Sequence, residues 1–366
     1  MTDQRDDTPS GPGGAVPIVG FVLAETSGGI GRHVRDIAAR LTERGQPAYV
    51  VAPAEVIARF GLAEVAVVTA ADVGDARSFP GSRRAIRRLF RDCNVVHAHG
   101  LRAGALAARS LVPGGAPLVQ TWHNAPPAAG VGQRIGQQLA RGSARAATVT
   151  LAVSDDLVAL ARECGAADAR WTPVAAPLLA EPAQSADAVR TALGATGRDL
   201  VVAVGRLSVQ KGFDVLAAAA DILGDETNSP LIVIAGEGPE RERLSGSGVT
   251  LLGEVADIAS LLAAADVVVI PSRWEGWPLV AQEALRLGCA VVATRVGGLP
   301  KLAGDAVFWV PPGDPAALAA ALRRVLADER QRAQLRAVAL ERAAQLPDEE
   351  ATMAALLAVY REVASC

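Results

Sequence analysis

Lysine is nearly missing from this 366-residue chain: of its 36 basic residues only two, Lys211 and Lys301, are lysines. In a chain that writes arginine almost everywhere, a retained lysine suggests a task that needs a compact ammonium rather than a planar fork. Cysteine is scarce as well. Cys93, Cys164, Cys289 and Cys366 are scattered with no C-x-x-C pair, which argues against a disulfide frame or a thiolate zinc site and fits reduced thiols in a cytosol. No apolar run reaches about 18 residues, so no membrane-spanning helix is expected. Residues 1–15, polar and rich in Gly and Pro, read as a disordered tail, neither a signal peptide nor an anchor. A dominant charge is also lacking, since 36 basic against 39 acidic residues leave −3, with no global attraction to nucleic acid or anionic lipid. What is abundant is apolar surface: 50% of the residues are hydrophobic, and the length suits two to three domains with large cores.

From Val16 onward, short β-branched runs alternate with helical patterns, the rhythm of βαβ units and a parallel sheet, so the fold class is α/β. Strands are expected at 16–24, 48–52, 65–69, 94–98, 117–122 and 148–153. A stretch interrupted by Pro173, Pro177 and Pro182 follows and reads as a hinge over 172–188. A second series then places strands at 199–204, 230–235, 249–252 and 266–270, with one more buried strand before Gly297.

Candidate site residues fall where these strands end. The first strand leads into Glu25-Thr-Ser-Gly-Gly-Ile-Gly31 and a helical pattern from about Ile30, and glycines there let backbone N–H groups approach a phosphate. The loop is not G-x-G-x-x-G, and no acidic residue stands some twenty positions on, which argues against a dinucleotide site. His97 and His99 end one strand and His123 ends the next, at the edge where doubly wound sheets hold ligands. Because His123 leads into a Pro-Pro loop, its ring is expected to face the crevice. Arg206 and Lys211 flank a loop before a helix, and two cations at a helix N-terminus suit a diphosphate.

Pro278 is expected as the first residue of a helix that stops at Gly288. Glu283 shares a row of that helix with Leu279 and Leu287, so a carboxylate sits on a stripe that otherwise reads as core. It needs donors there, from an arginine of the fold or from ligand hydroxyls. Glu275 lies eight positions earlier in the preceding loop, and two carboxylates so spaced can grip two parts of one polyhydroxylated ligand. A capping Glu275 with a surface Glu283 would produce the same spacing. Over residues 82–92, Arg83, Arg84, Arg87, Arg88 and Arg91 oppose Ile86, Leu89 and Phe90. A solvated face is one reading of that helix, and contact with anionic lipid is the other.

Gly28-Gly29-Ile-Gly-Arg-His-Val, Gly205-Arg-Leu-x-x-x-Lys-Gly, Gly236-Glu-Gly-Pro and Glu275-x7-Glu283 with Gly297-Gly298-x-Pro together resemble the retaining sugar-nucleotide glycosyltransferases of family 4, over about residues 16–345. The resemblance implies the GT-B fold: a Rossmann-like acceptor domain over 16–180, a Rossmann-like donor domain over 181–346, and a final helix within 347–366 that crosses back onto the first. It implies transfer of a hexose from a UDP- or GDP-sugar to a hydroxyl of a glycolipid, glycan or small molecule, with no metal or D-x-D motif required. Arg206 and Lys211 would neutralise the diphosphate, Glu283 would hold the ribose diol, Glu275 the sugar hydroxyls, and His123 would lie beside that sugar. Gly28 and Gly29 would approach the phosphate, while Gly236, Glu254, Val255, Gly276 and Leu279 would complete the donor site, with the base near Gly253-Glu-Val255.

Three positions depart from the family pattern. Pro173-Val-Ala-Ala-Pro177 replaces an Asn-Gly turn, Lys301 replaces a Glu and is read as a surface residue, and Trp277 is bulky at a variable place. The alternatives are a sugar-nucleotide 2-epimerase-like isomerase and a non-catalytic sugar-nucleotide binding protein. The expected location is the cytoplasm, with peripheral contact at the inner membrane face through the arginine helix as the open variant.

Overall fold

The computed structural model describes residues 16–26, 28–73, 79–111, 114–126, 130–224 and 229–365; the expected tail at 1–15 and Cys366 lie outside them. The first sheet has seven strands, β1 Val19–Leu23, β2 Ala48–Ala52, β3 Val67–Ala70, β4 Val95–His99, β5 Leu118–Trp122, β6 Val149–Ala152 and β7 Ala169–Trp171, in the order β3-β2-β1-β4-β5-β6-β7. The second has six, β8 Leu200–Val204, β9 Leu231–Ala235, β10 Thr250–Gly253, β11 Val267–Ile270, β12 Val291–Thr294 and β13 Phe308–Val310, in the order β10-β9-β8-β11-β12-β13. Every strand pairing in both sheets is parallel.

Helices cover both faces, which is why β1, β4, β5, β11 and β12 are buried at every position, and why β11 reads as an unbroken apolar run rather than an alternating one. Each branched side chain sealed there contributes roughly 1.5–3 kcal/mol. The edge strands β7 and β13 were not expected. Three residues are too few to show a period.

In each sheet the strand order reverses once, between β1 and β4 and between β8 and β11. Crevices open at such reversals, outside the carboxyl ends of the strands.

The helix Glu349–Ala364 is capped by Asp348, whose side chain accepts from the Ala351 N–H at 2.7 Å. It buries Met353, Leu356, Leu357, Tyr360 and Val363 against Val19, Val34, Ile37 and Val95 of the first layer. Ion pairs Arg40–Glu349, Arg44–Glu350 and Arg170–Glu362 fasten its rim. The first core is thus assembled from both ends of the described chain.

Between the sheets, Val174, Ala175 and Ala176 are buried, and their backbone finds partners on the helix Leu279–Arg286. The Gln282 amide accepts from Ala176 N at 3.0 Å and donates to Val174 O at 2.9 Å, while Arg286 donates to Ala176 O. Buried backbone groups outside a sheet need such partners.

Candidate active site

Two helices begin at the two crevices. The helix Gly29–Glu43 follows β1, with Gly28 as N-cap, no side-chain cap and no acidic residue in its first turn. The helix Leu279–Arg286 follows β11, with Pro278 as N-cap and again no side-chain cap. Pro278 therefore lies one residue before the helix and not inside it. Its φ of −67° is helical, but its ψ of 129° is extended. A Cβ built on Gly29 would fall 2.9 Å from Leu279 Cδ1, so the two helix starts meet. Open N–H groups and the positive ends of two helix dipoles converge there, which favours an anion.

Both carboxylates are buried, Glu275 at 4% exposure and Glu283 at 3%, so Glu283 is not a surface residue. Glu275 Oε1 accepts from Lys211 Nζ at 2.7 Å and from Ser272 Oγ at 2.6 Å, so Glu275 is held by an ammonium and does not cap the helix. Glu283 Oε1 accepts from Arg32 Nη1 at 3.2 Å, an ion pair that crosses between the layers of the two sheets. Arg32 supplies the fold-internal donor that Glu283 was expected to need. Burial raises the Glu283 pKa above the ordinary carboxylate value, and Arg32 pulls it back down. The second oxygen of each carboxylate accepts no hydrogen bond from a described residue.

Lys211 ends a short turn, Val209–Lys211, after β8, and one of its three N–H donors is committed to Glu275. Arg206, in the same loop, is exposed and makes no hydrogen bond or ion pair with a described residue. The two expected cations thus share a loop but not a contact.

Glycines bring these loops together. A Cβ on Gly276 would stand 2.9 Å from the His123 carbonyl oxygen and 2.6 Å from Val153 Cγ2, so the Glu275 loop abuts the end of β5 only because it lacks one. A Cβ on Gly298 would collide with Gly276 O at 1.9 Å, while the Gly298 N–H donates to Glu275 O at 2.9 Å. Gly236 donates to Gly253 O at 2.7 Å, which ties the ends of β9 and β10. Beyond Gly253, Glu254 is exposed and Val255 half-buried.

All four histidines of the chain form one cluster at the ends of β4 and β5. His97 shares hydrogen bonds with Tyr360 Oη at 2.6 Å and Thr121 Oγ1 at 2.7 Å. His99 lies tilted against His97 at 4.1 Å between centroids and stacks on His123 at 5.3 Å, with its Nδ1 3.0 Å from His123 Nε2. The His123 ring thus leans on His99 rather than standing free in the crevice. Burial lowers the pKa of His33 to about 4 and of His123 to about 3, and holds His97 and His99 well below the usual value. All four rings are neutral near pH 7. His33, which the sequence does not mark as a site residue, lies on the buried row with Val34, Ile37 and Leu41.

Lys301 is exposed, as expected of a surface residue, and is nevertheless partnered: its Nζ is 2.8 Å from Asp155 Oδ1 and 4.0 Å above the Trp171 ring. Trp277 packs edge-on to Trp171 at 5.4 Å and is 7% exposed, so it belongs to this seam. In the helix Phe79–Leu89, Ile86 is turned into the core with Phe90 just beyond, and Arg87 donates to Ser110 O. Among the described residues, no group of three or more His, Cys, Asp or Glu is placed to hold a metal ion.

A family model described as Glycosyltransferase Family 4 matches residues 27–174, and one described as Glycosyl transferases group 1 matches residues 198–328. D-inositol 3-phosphate glycosyltransferase 1 of Catenulispora acidiphila is 35% identical over 314 residues, 74% of this chain and 72% of that protein. The glycosyltransferase TuaC of Bacillus subtilis, named for teichuronic acid biosynthesis, is 33% identical over 249 residues, 65% of this chain and 62% of its own length. With the alpha-D-kanosaminyltransferase of Streptomyces kanamyceticus the identity is 32%, and the match spans 48% of each chain. Among solved structures, HepE of Anabaena in complex with UDP has a TM-score of 0.79 at 20% identity, covering 94% of this chain and all (100%) of that one. WaaG, described as a glycosyltransferase involved in lipopolysaccharide biosynthesis, has a TM-score of 0.72 at 17% identity, covering 94% and 99%. At those identities the likeness is one of fold. With both halves matched in order and a 35% identical relative covered over 72% of its length, the chain belongs to glycosyltransferase family 4, with the two facing Rossmann-like sheets of the GT-B fold.

Proposed function

We propose that this chain transfers a hexose from a nucleoside-diphosphate sugar to an acceptor hydroxyl, with retention at the anomeric carbon and without a metal ion. The observation that carries the reading is the meeting of two uncapped helix starts, at Gly29 and Leu279, beside Lys211 and two buried carboxylates that each keep one oxygen free. In this reading residues 16–180 hold the acceptor and 181–346 the donor. The diphosphate lies at the helix starts. Lys211 keeps Glu275 on one N–H and turns its other two to phosphate, joined by Arg206 from the same loop. As the anomeric C–O bond breaks, negative charge grows on the diphosphate, and fixed cations and backbone N–H groups stabilise it most at that moment.

The free oxygens of Glu275 and Glu283 accept sugar and ribose hydroxyls, and Arg32 yields its place on Glu283. The acceptor attacks from the face that the diphosphate leaves, with a phosphate oxygen taking its proton. A relative in fold, HepE, has been solved with UDP-glucose, which supports a nucleotide-sugar donor and makes UDP the first nucleotide to try. No helix among the described residues is long and apolar enough to cross a membrane, and contact through Arg84, Arg88 and Arg91 would be purely electrostatic.

The test incubates the purified chain with UDP-glucose and other nucleotide sugars, with and without chelator, and follows nucleoside diphosphate release and the anomeric configuration of the product by NMR. Release with an α product from an α donor, unchanged by chelator, is expected. An inverted product or magnesium-dependent activity refutes the mechanism, an altered sugar without release indicates an isomerase, and binding without turnover indicates a sensor.

A further inference from the structure

A cavity of about 380 Å³ opens at the ends of β1 and β4, next to the histidine cluster. That is toward the small end of the roughly 300–1,000 Å³ of small-molecule sites. Its apolar walls are Ile30, Leu101, Ile135 and Leu139, from three different helices, with Thr26 and Asn124 as polar neighbours. Ile135 is 52% exposed, an apolar side chain left in water on the wall of a cavity. Glu25 and Arg102, both exposed and of opposite sign, flank it, so the charges there do not select an anion. His99, 2% exposed, also lines the cavity. Its Nε2 is buried without a partner, while its Nδ1 is bonded to His123.

That orphan nitrogen has a preferred proton arrangement. If His99 carried its proton on Nε2, a buried N–H would go unpaired. With the proton on Nδ1, His99 donates to His123 Nε2 and presents Nε2 as an acceptor, the less costly vacancy. A group that donates an O–H is what this nitrogen lacks. Thr26 and Asn124 can bond further hydroxyls, whereas the four aliphatic side chains can be covered only by an apolar body.

We propose that this cavity receives the acceptor, and that the acceptor is an alcohol carried on an apolar body, aryl or alkyl, with a hydroxyl donating to His99 Nε2. This rests on the transferase reading above and adds the class of acceptor. The apolar body could belong to a lipid-linked glycoside or to a small aromatic aglycone, and the experiment separates the two.

With UDP-glucose as donor, or the nucleotide sugar found to be turned over, the full-length chain is offered octyl β-glucoside, phenyl β-glucoside, glucose, myo-inositol and inositol 1-phosphate. Octyl or phenyl glucoside should exceed glucose in kcat/KM by about tenfold or more, which corresponds to covering one to two methylenes' worth of apolar surface. Preference for the octyl compound indicates a lipid source, and preference for the phenyl compound a soluble aglycone. Ile135→Asp, at an exposed position that folding tolerates, should raise the KM for that glucoside about tenfold, and Ile135→Leu should restore it. A UDP titration of Ile135→Asp reads the donor site alone and should match wild type. If no donor is turned over, the failure lies with the transferase reading, and calorimetric binding of the two glucosides, lost in Ile135→Asp, still tests the cavity. Preference for glucose, inositol or its phosphate, or an Ile135→Asp variant with unchanged KM and unchanged glucoside binding, overturns the proposal.

Discussion

Mild acid should destabilise this protein well above the range in which carboxylates titrate, because its four histidines are buried neutral in one cluster. An imidazole with the ordinary pKa of 6.5 takes up a proton in the unfolded chain as pH falls, whereas His33 waits until about 4 and His123 until about 3. The unfolded state therefore binds more protons throughout that window. Stability is full above 6.5 and is lost as the pH falls toward the folded values. At pH 5 each buried histidine forfeits about 1.5 pH units, or about 2 kcal/mol, so the pair costs about 4 kcal/mol and all four at most about 8. That compares with roughly 5–15 kcal/mol for a typical domain. Glu283, whose pKa is raised, works in the opposite direction, but it is one group.

Urea unfolding at pH 7.5, 6.5, 5.5 and 5.0 reads the effect, and His33→Leu should flatten the profile by about 2 kcal/mol at the acid end. Near-constant stability across that range would show that the rings are accessible to protons in the folded state, and the packed cluster would be wrong.

Other expectations follow from particular contacts. Lys211→Ala should lower kcat by about a hundredfold or more with a smaller change in donor affinity, if its charge acts mainly as the diphosphate leaves; equal losses would mean plain ground-state binding. Gly298→Ala should destabilise by more than about 2 kcal/mol in denaturant titration, since its Cβ would meet a carbonyl oxygen at 1.9 Å, and a neutral result would mean the two loops are not in contact. Lys301→Ala, by contrast, should change stability by less than about 1 kcal/mol, because Lys301 and Asp155 are both substantially exposed.

Much of the architecture was legible because its central strands are unmixed apolar runs: β8 and β11 were placed to within a residue, whereas β7 and β13 are too short to carry a pattern. Glu283 declared its burial through the row it shares with Leu279. Its partner did not, since Arg32 lies 251 residues away on the opposite layer and nothing local marks it. Likewise His97, His99 and His123 could be assigned to strand ends, but their stacking depends on β4 and β5 being neighbours and on His33 descending from a helix above them. The partners of the exposed Lys301 were hidden for the same reason, since Asp155 and Trp171 are remote from it in sequence. The position of the final helix was implied only by the family resemblance, because a stripe of Leu, Met and Tyr does not say which sheet it will cover.

The central claim is that Glu283 and its neighbours form a nucleotide-sugar site at the meeting of two helix starts. The most direct test is calorimetric titration of UDP, GDP and ADP into wild type and into Glu283→Gln, a variant that keeps the shape and removes the charge. One nucleotide should bind wild type selectively, and Glu283→Gln should weaken it by about ten- to a hundredfold, the worth of one charged hydrogen bond. Equal affinity in both proteins, or no binding of any nucleotide at millimolar concentration, would contradict the account.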